Sequence, residues 1–561
     1  MAVGAGPLMG RPVRKRFVAV EGRLVHYRRA GEGPTVVLLH DSPRSSSLHL
    51  PLLETLSDEF TVIALDTPGY GLSDPLPGGP FEIADFSRAL AVTLEALGVA
   101  RAGLYGFHTS SKIVLDFAVR FPERVSLAIM DGLSIPAGGP DPGYIDRYMR
   151  PFELDEDGAY VAREWTRLRD SGRWFPWFDR RPETRIVGSA STPQQLHQSF
   201  LDYFNAGPHY ADAYRAAMFY LAAPQLARLT TRTAIMARSD DVLFRHLDLL
   251  PDPLPPACTV ERLGPDRAAW RGRIRELFAA HAEAEPAPPP PRAEGQVGDY
   301  LDLPHGQVRL RCIGHGPPLL YLHEAPGGAG AVHARLAALA LGRTVIAPDL
   351  PGCGESDPLA TPTADAYAAV LETVIAETAG GAVDLLAEAT STPLALRLMV
   401  RAPGLVRRAV LDAVLLATPD ERRSLASRFA PELTFDPSGA HLHRAWHMVR
   451  DQAVHWPWYD SSAEGVRTIP GSLDPAALHR RFLDVLTQMD HYGDAVSAAL
   501  ASDARRDMAA VRAPVLTLES GDPRDRWAHI AAELNPMVEI APRAREVAGL
   551  AERVLAFLDR P

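Results

Sequence analysis

The 561-residue chain has only three cysteines, Cys258, Cys312 and Cys353, and no CxxC pair. That is too few for a disulfide framework, so they read as reduced, mostly buried thiols. Lysine is nearly missing as well: Lys15 and Lys112 are the only two, and every other basic residue is arginine. With the abundant alanine, this reads as genome composition rather than as function. An excess of positive charge is also lacking. A net charge of −11 gives nucleic acid no electrostatic reason to bind. No run approaches the ~20 apolar residues that cross a bilayer. The opening MAVGAGPLMGRPVRKRF puts its basic cluster after a short apolar stretch, the reverse of a secretory signal. A cytoplasmic protein without membrane contact is expected. No HExxH motif occurs, and the scattered histidines and aspartates fit fold positions better than a metal site, so neither metal nor cofactor is expected.

What is present is a repeat. The length exceeds one domain at ~100–200 residues each, and 46% hydrophobic with 23% charged residues is a globular composition. PTVVLLHDSPR (Pro34–Arg44) recurs as PPLLYLHEAPG (Pro317–Gly327), and FTVIALDTPGYGLSDP (Phe60–Pro75) as RTVIAPDLPGCGESDP (Arg343–Pro358). LYGFHTSSKIVLDFAVRFP (Leu104–Pro122) matches LLAEATSTPLALRLMVRAP (Leu385–Pro403). Two further matched blocks follow, REWTRLRDSGRWFPWFD with RAWHMVRDQAVHWPWYD and LHQSFLDYFNAGPHYADA with LHRRFLDVLTQMDHYGDA. A near-constant spacing across five blocks means tandem duplication. Consecutive prolines in HAEAEPAPPPPRAEG mark the joint. The expected organisation is residues 1–281 with a helical cap near 135–228, a linker at 282–296, and residues 297–561 with a cap near 416–509.

Within each half, short runs such as VVLLH and TVIALD read as strands buried on both faces. They alternate with helical segments, FEIADFSRALAVTLEALG among them, which implies a mostly parallel, doubly wound α/β sheet. About a hundred helical, Trp-rich residues between the strands AIMDGL and TAIMAR are too many for a loop and read as the cap.

The strand-end LLHDSP and YLHEAP loops, the D-x-P-G-x-G-x-S-D blocks, the strand–turn–helix elbow and the cap insertion resemble the cap-bearing branch of the α/β-hydrolase superfamily, in each half separately. The resemblance implies two tandem α/β-hydrolase folds. It also implies a G-x-S-x-G elbow holding a serine nucleophile, and here the sequence departs from the family. The elbow reads Gly106-Phe107-His108-Thr109-Ser110 in the first half and Ala387-Glu388-Ala389-Thr390-Ser391 in the second. Histidine and alanine stand at the nucleophile positions. ARSDD and LESGD keep the family's acid, as Asp241 and Asp522, but no histidine follows the last strand in either half. A Ser-His-Asp triad is therefore excluded.

His108 is large enough to reach towards Asp241, and the two could form a His–Asp dyad acting as a general base. In the opposing reading His108 only fills space. By resemblance, the oxyanion would be held by backbone amides of Thr109 and of Asp41 or Ser42, with Thr390 and Glu324 or Ala325 as the second-half equivalents. Asp41 after His40, and Glu324 after His323, place an acid beside that site, which disfavours acyl transfer unless the acid is protonated or paired with Arg44. Glu324 and Glu388 could share a pocket and divide acid and base roles. Cap aromatics including Trp174 and Trp177, and the matched pair His209-Tyr210, suit either an apolar or aromatic ligand or cap-to-core packing.

Two functions from different classes remain. One is an enzyme acting on a small apolar carbonyl, ester or lactone compound, with activity in the first half and a structural second half paired with it as an internal pseudo-dimer. Lyase or isomerase chemistry would use the same groups. The other is a catalytically inactive ligand-binding or scaffold protein.

Overall fold

A computed structural model describes residues 12–136, 139–186, 191–281, 283–290, 298–468, 471–521 and 523–560. The first part of the basic N-terminal stretch, the end of the proline-rich joint and Asp522 lie outside these described residues. The chain forms two compact units. Met1–Glu153 and Thr166–Ala293 make the first; Leu154–Trp165 and Glu294–Pro561 make the second.

The first unit is built on β1 (Arg14–Val20), β2 (Arg23–Ala30), β3 (Thr35–Leu39), β4 (Thr61–Leu65), β5 (Ala102–Phe107), β6 (Val125–Asp131), β7 (Thr233–Arg238) and β8 (Cys258–Leu263). Their order across the sheet is β1-β2-β4-β3-β5-β6-β7-β8. β1 and β2 form an antiparallel hairpin that joins antiparallel to β4. From β4 onward every pairing is parallel. The hairpin was not anticipated, because its alternating basic residues lack the continuous apolar run of the central strands. β3, β4 and β6 are buried at every residue, as strands covered by helices on both faces must be. Each fully buried Val, Leu or Ile there contributes roughly 1.5–3 kcal/mol.

The D-x-P-G-x-G-x-S-D block is an architectural knot. Asp66 Oδ1 accepts from the Ser46 amide at 2.6 Å, and Oδ2 accepts from the Leu72 amide at 3.0 Å and contacts His26 Nδ1 at 2.7 Å. Gly71 has φ +56°, and a Cβ there would sit 2.1 Å from Asp66 Oδ2. Glycine is required on both counts. Ser73 Oγ donates to the Asp66 carbonyl and accepts from the His26 amide.

The second unit repeats the plan with β9 (Tyr300–Leu303), β10 (Gly306–Ile313), β11 (Pro318–Leu322), β12 (Thr344–Pro348), β13 (Val383–Glu388), β14 (Val406–Asp412), β15 (Val515–Glu519) and β16 (Val538–Pro542). Their order, β9-β10-β12-β11-β13-β14-β15-β16, is that of the first sheet. Asp349, Gly354 and Ser356 rebuild the same knot. The duplication is thus a duplication of α/β-hydrolase folds.

The caps lie between β6 and β7 and between β14 and β15, mostly helical as expected. Each also has one antiparallel bridge, Trp174 to Arg185 and His455 to Val466. Leu154–Trp165, placed by sequence in the first cap, packs with the second unit: Trp165 donates from Nε1 to the Pro437 carbonyl at 3.3 Å. The joint is not wholly a free linker either. Arg29 Nη2 donates to the Ala287 carbonyl at 2.9 Å and Thr35 Oγ1 to that of Glu285 at 2.6 Å, so its first residues lie along the first unit.

Candidate active site

The first elbow follows β5. His108 has φ 48° and ψ −107°, and the helix Thr109–Arg120 starts at the next residue. A non-glycine residue held at positive φ is costly and marks a backbone that is over-determined by its surroundings. Gly106 permits the tight turn, since a Cβ there would lie 2.4 Å from the Ser110 carbonyl oxygen. His108 Nε2 lies 2.9 Å and 3.1 Å from the two carboxylate oxygens of Asp241. Asp241 is held from behind by the Leu243 amide at 2.8 Å. The His108 side chain remains 24% exposed while that of Asp241 is 5% exposed, so the imidazole faces outward from a buried anchor.

Room for the ring comes from Gly132, at φ +67° just past β6, where a Cβ would come within 2.3 Å of His108 Cδ2. Sequence reading missed this glycine, because a DG pair looks like an ordinary turn. Burial alone would make His108 less basic, but the Asp241 hydrogen bond and charge, with Asp41 and Asp131, outweigh it and raise its pKa. Burial pushes Asp241 upward, yet the His108 contacts hold it below the usual carboxylate range. Asp131 was also missed. Burial raises it to about 6, against hydrogen bonds from the Tyr105 hydroxyl and the Trp270 indole, each at 2.8 Å.

Ser110 and Ser111 are buried. Ser110 Oγ donates to the Leu39 carbonyl at 2.7 Å and Ser111 Oγ to that of His108 at 2.5 Å, so both are committed to the turn. Thr109 opens its helix, where first-turn amides have no intrahelical acceptor. Asp41 is not paired with Arg44, as one sequence reading had it. Arg44 Nε donates to Asp202 at 2.8 Å instead. Asp41 Oδ1 is out of water without a hydrogen-bond partner, and burial raises this carboxyl against the pull of Arg44 and His108. Ser42 is buried beside it.

Several pocket candidates make contacts within the fold. His40 Nδ1 meets the Asp41 carbonyl at 2.7 Å while Nε2 accepts from the Thr67 amide at 3.0 Å, which fixes the loop. Trp174 forms the cap bridge with Arg185. Trp177 donates to the Tyr148 carbonyl at 3.2 Å, with the Arg150 guanidinium 5.3 Å from its ring centroid. His209 pairs with Asp212 at 3.0 Å, and buried Tyr210 hydrogen-bonds the Arg150 carbonyl. His491-Asp494 and Tyr492 repeat that arrangement.

The second elbow keeps the shape with alanine at its apex. Ala389 has φ 45°, and Ala413 (φ 57°) stands where the first unit has Gly132. Thr390 Oγ1 accepts from the Ala325 amide at 3.0 Å and donates to its carbonyl at 2.6 Å, which occupies one oxyanion candidate. His323 braces its loop as His40 does, its Nε2 accepting from the Leu350 amide at 3.0 Å. Above this elbow lies a cavity of about 340 Å³ lined by Glu324, Glu388, Ala389, Asp412 and Ala413 together with Arg335, Arg467, Arg481, Arg524, Arg543 and Arg545. Glu324 and Glu388 do share a pocket, but each has an arginine partner, Arg481 at 3.1 Å and Arg335 respectively. Asp412 pairs with Arg543 at 2.8 Å. Burial would raise Glu324, yet Arg481, Arg524 and Arg467 hold it below the ordinary range.

Among the described residues no group of three His, Cys, Asp or Glu side chains could hold a metal. Nor is any described helix long and apolar enough to cross a membrane. The three cysteines are free thiols.

Two mostly parallel sheets, each with a strand–elbow–helix turn beneath a helical cap, define a pair of α/β-hydrolase folds. The chain belongs to that family: the alpha/beta hydrolase fold family matches residues 34–251 and 317–440, more than half the chain and part of both units. It is 31% identical over 113 residues to a 2-hydroxy-6-oxo-6-phenylhexa-2,4-dienoate hydrolase of Comamonas testosteroni, covering 19% of this chain and 40% of that one. It is 32% identical over 105 residues to a 2-(acetamidomethylene)succinate hydrolase of Mesorhizobium japonicum, covering 18% and 37%. The chain thus spans less than half the length of these curated relatives. Among solved structures, an enol-lactonase from Burkholderia xenovorans is similar at 18% identity and a TM-score of 0.36, over 47% of this chain and 99% of that one.

Proposed function

We propose that the first unit hydrolyses a small ester, lactone or activated carbonyl compound without an acyl-enzyme, through His108 and Asp241. The observation that carries this is the 2.9 Å contact from His108 Nε2 to a buried carboxylate, with the imidazole partly exposed on a strained elbow. With Nε2–H donating to Asp241, the lone pair lies on Nδ1, across the ring from the Gly132 contact. Nδ1 takes a proton from water as the water oxygen bonds to the carbonyl carbon. The oxyanion forms near the amides of Thr109 and of Asp41 or Ser42, and the imidazolium returns the proton to the departing oxygen. Burial raises the Asp41 carboxyl on that side, against the pull of Arg44 and His108. Relatives whose names describe hydrolases of a dienoate and of a succinate derivative agree with a small carbonyl substrate.

The test is turnover of ester, lactone and β-diketone panels by wild type, His108→Ala and Asp241→Asn, alongside a fluorophosphonate probe. Loss of turnover in both variants with no serine labelled is the expected result. Equal turnover in His108→Ala, or labelling at Ser110, would sink the mechanism.

A further inference from the structure

The helix Ala440–Asp451 of the second cap carries three histidines in two different settings. His441 is buried on the packed side with Leu442, Ala445, Trp446, Met448 and Val449, and its Nδ1 accepts from the Asp436 amide at 3.3 Å. His443 and His447 are exposed to solvent. At i and i+4 their side chains stand one above the other on a single face. The two rings lie 5.9 Å apart between centroids and within 10° of parallel. Among the described residues neither ring is drawn into a hydrogen bond or an ion pair.

Neither the helix nor the fold calls for histidine at these positions. Histidine is a weaker helix former than alanine, arginine or leucine, and on an exposed face propensity rather than packing decides. At matching positions in the helix Ala159–Ser171 the first unit has Ala162 and Thr166, both exposed. What the pair adds is two ring nitrogens with lone pairs on one side of a rigid element. A transition metal holds an imidazole nitrogen at ~2.0–2.1 Å, so two such ligands stand no more than ~4 Å apart across it. Rotation of exposed side chains brings one nitrogen of each ring within that span and leaves the backbone where it is.

We propose that His443 and His447 form a surface chelate for a divalent transition metal, copper(II) or nickel(II), with water in the remaining positions. Two imidazoles and water suit the tetragonal nitrogen and oxygen coordination of these ions. A closed zinc site takes four protein ligands, and magnesium takes oxygen. Among the described residues no third His, Cys, Asp or Glu joins the pair. Asp451, one turn further along, lies 3.6 Å from Arg450 Nη1 instead. Arg444 and Arg450 flank the histidines, but they donate to the Glu432 carbonyl at 3.5 Å and the Glu156 carbonyl at 3.2 Å. Repulsion between exposed charges is also screened by salt. The site uses no residue of the first unit's reaction.

The test is calorimetric titration of the full chain with copper(II), nickel(II) and magnesium, with electron paramagnetic resonance of the copper(II)-loaded chain. A saturable site is expected that binds copper(II) more tightly than nickel(II) and does not bind magnesium. The copper spectrum should show coupling to two imidazole nitrogens. His443→Ala and His447→Ala should each weaken nickel(II) binding at least ~10-fold, no less than the loss of an outer-shell partner costs a metal site. His108→Ala should leave it intact. Both substituted positions are exposed, and thermal unfolding checks that the variants fold. No copper(II) or nickel(II) site, magnesium bound as tightly as nickel(II), or unchanged affinity in folded His443→Ala and His447→Ala would each overturn the proposal.

Discussion

The two elbows share a backbone and differ in what they carry. His108 and Ala389 both sit at positive φ between a buried strand and a helix, and both are followed by a threonine and a serine that locks the turn. In the first unit the large side chain is matched by a missing one, at Gly132; in the second a small side chain is matched by Ala413. The acid in the next loop diverges too. Asp41 is raised by burial, while the arginines around Glu324 keep it ionised despite burial. Duplication has preserved strain and sheet order while the local chemistry separated into an imidazole–carboxylate pair and an arginine-rimmed cavity. Strain that survives without a nucleophile belongs to the architecture, so an unusual φ alone does not diagnose catalysis.

The sharpest way to break this comparison is to remove the dyad. Removing a general base costs ~10²–10⁴-fold in rate. His108→Ala and Asp241→Asn should therefore each lower kcat/KM by about that factor, and Ala389→Ser in the second unit should change it little. Comparable losses from Ala389→Ser would mean that the reaction had been assigned to the wrong half.

A smaller effect tests the space around the ring. Gly132→Ala places a methyl 2.3 Å from His108 Cδ2, which must move the imidazole off Asp241. Turnover should drop at least ~10-fold, with a stability loss of roughly 1–3 kcal/mol from overpacking. The double variant His108→Ala/Gly132→Ala copies the second unit and should regain part of that stability in urea unfolding. Additive losses would show that the two positions are not coupled.

The acid–base direction gives a third test. His108 must be deprotonated to accept a proton, and its pKa lies above the ordinary 6.5. The acidic limb of kcat/KM should therefore rise with pH through a midpoint above 6.5. Asp241→Asn removes the largest raising influence and should move the limb that remains to lower pH. A wild-type limb below pH 6 would contradict the pairing.

Much of this was legible in the sequence. Five repeated blocks specify two copies of one fold, and ARSDD places Asp241 where an elbow histidine reaches it. Three things were not. Gly132 acts through space against a residue from another strand, and nothing local to a DG pair reveals that. The engagement of Arg44 by Asp202 depends on how a cap helix sits over the strand-end loop. The cavity arginines are scattered from 335 to 545 in a chain whose basic residues are nearly all arginine, so none stands out until the fold gathers them. Comparing the copies does expose some: Ser199 against Arg481 is a change of charge within a matched block, and Leu243 against Arg524 is another two residues past ARSDD and LESGD.

The gentlest test concerns one carboxylate in its two settings. In the first unit Asp202 receives hydrogen bonds from Arg44 at 2.8 Å and Ser45 at 2.7 Å. In the second unit Gly327 and Gly328 replace that pair, Asp484 Oδ2 is left buried without a partner, and burial, with Asp349 nearby, raises its pKa to about 7. The unfolded chain releases that proton near the ordinary aspartate value of about 3.9. Between about pH 4 and pH 7 the folded chain thus binds more protons than the unfolded one, and stability must fall as pH rises across that window. Asp484→Asn should flatten this slope and stabilise the second unit above pH 7 by on the order of 1 kcal/mol once partial solvent contact is allowed for. Asp202→Asn should instead destabilise the first unit, because it removes an anion that Arg44 already holds. Equal effects from the two substitutions in urea unfolding at pH 8 would mean that replacing Arg44 and Ser45 by glycines made no difference to the carboxylate beneath them.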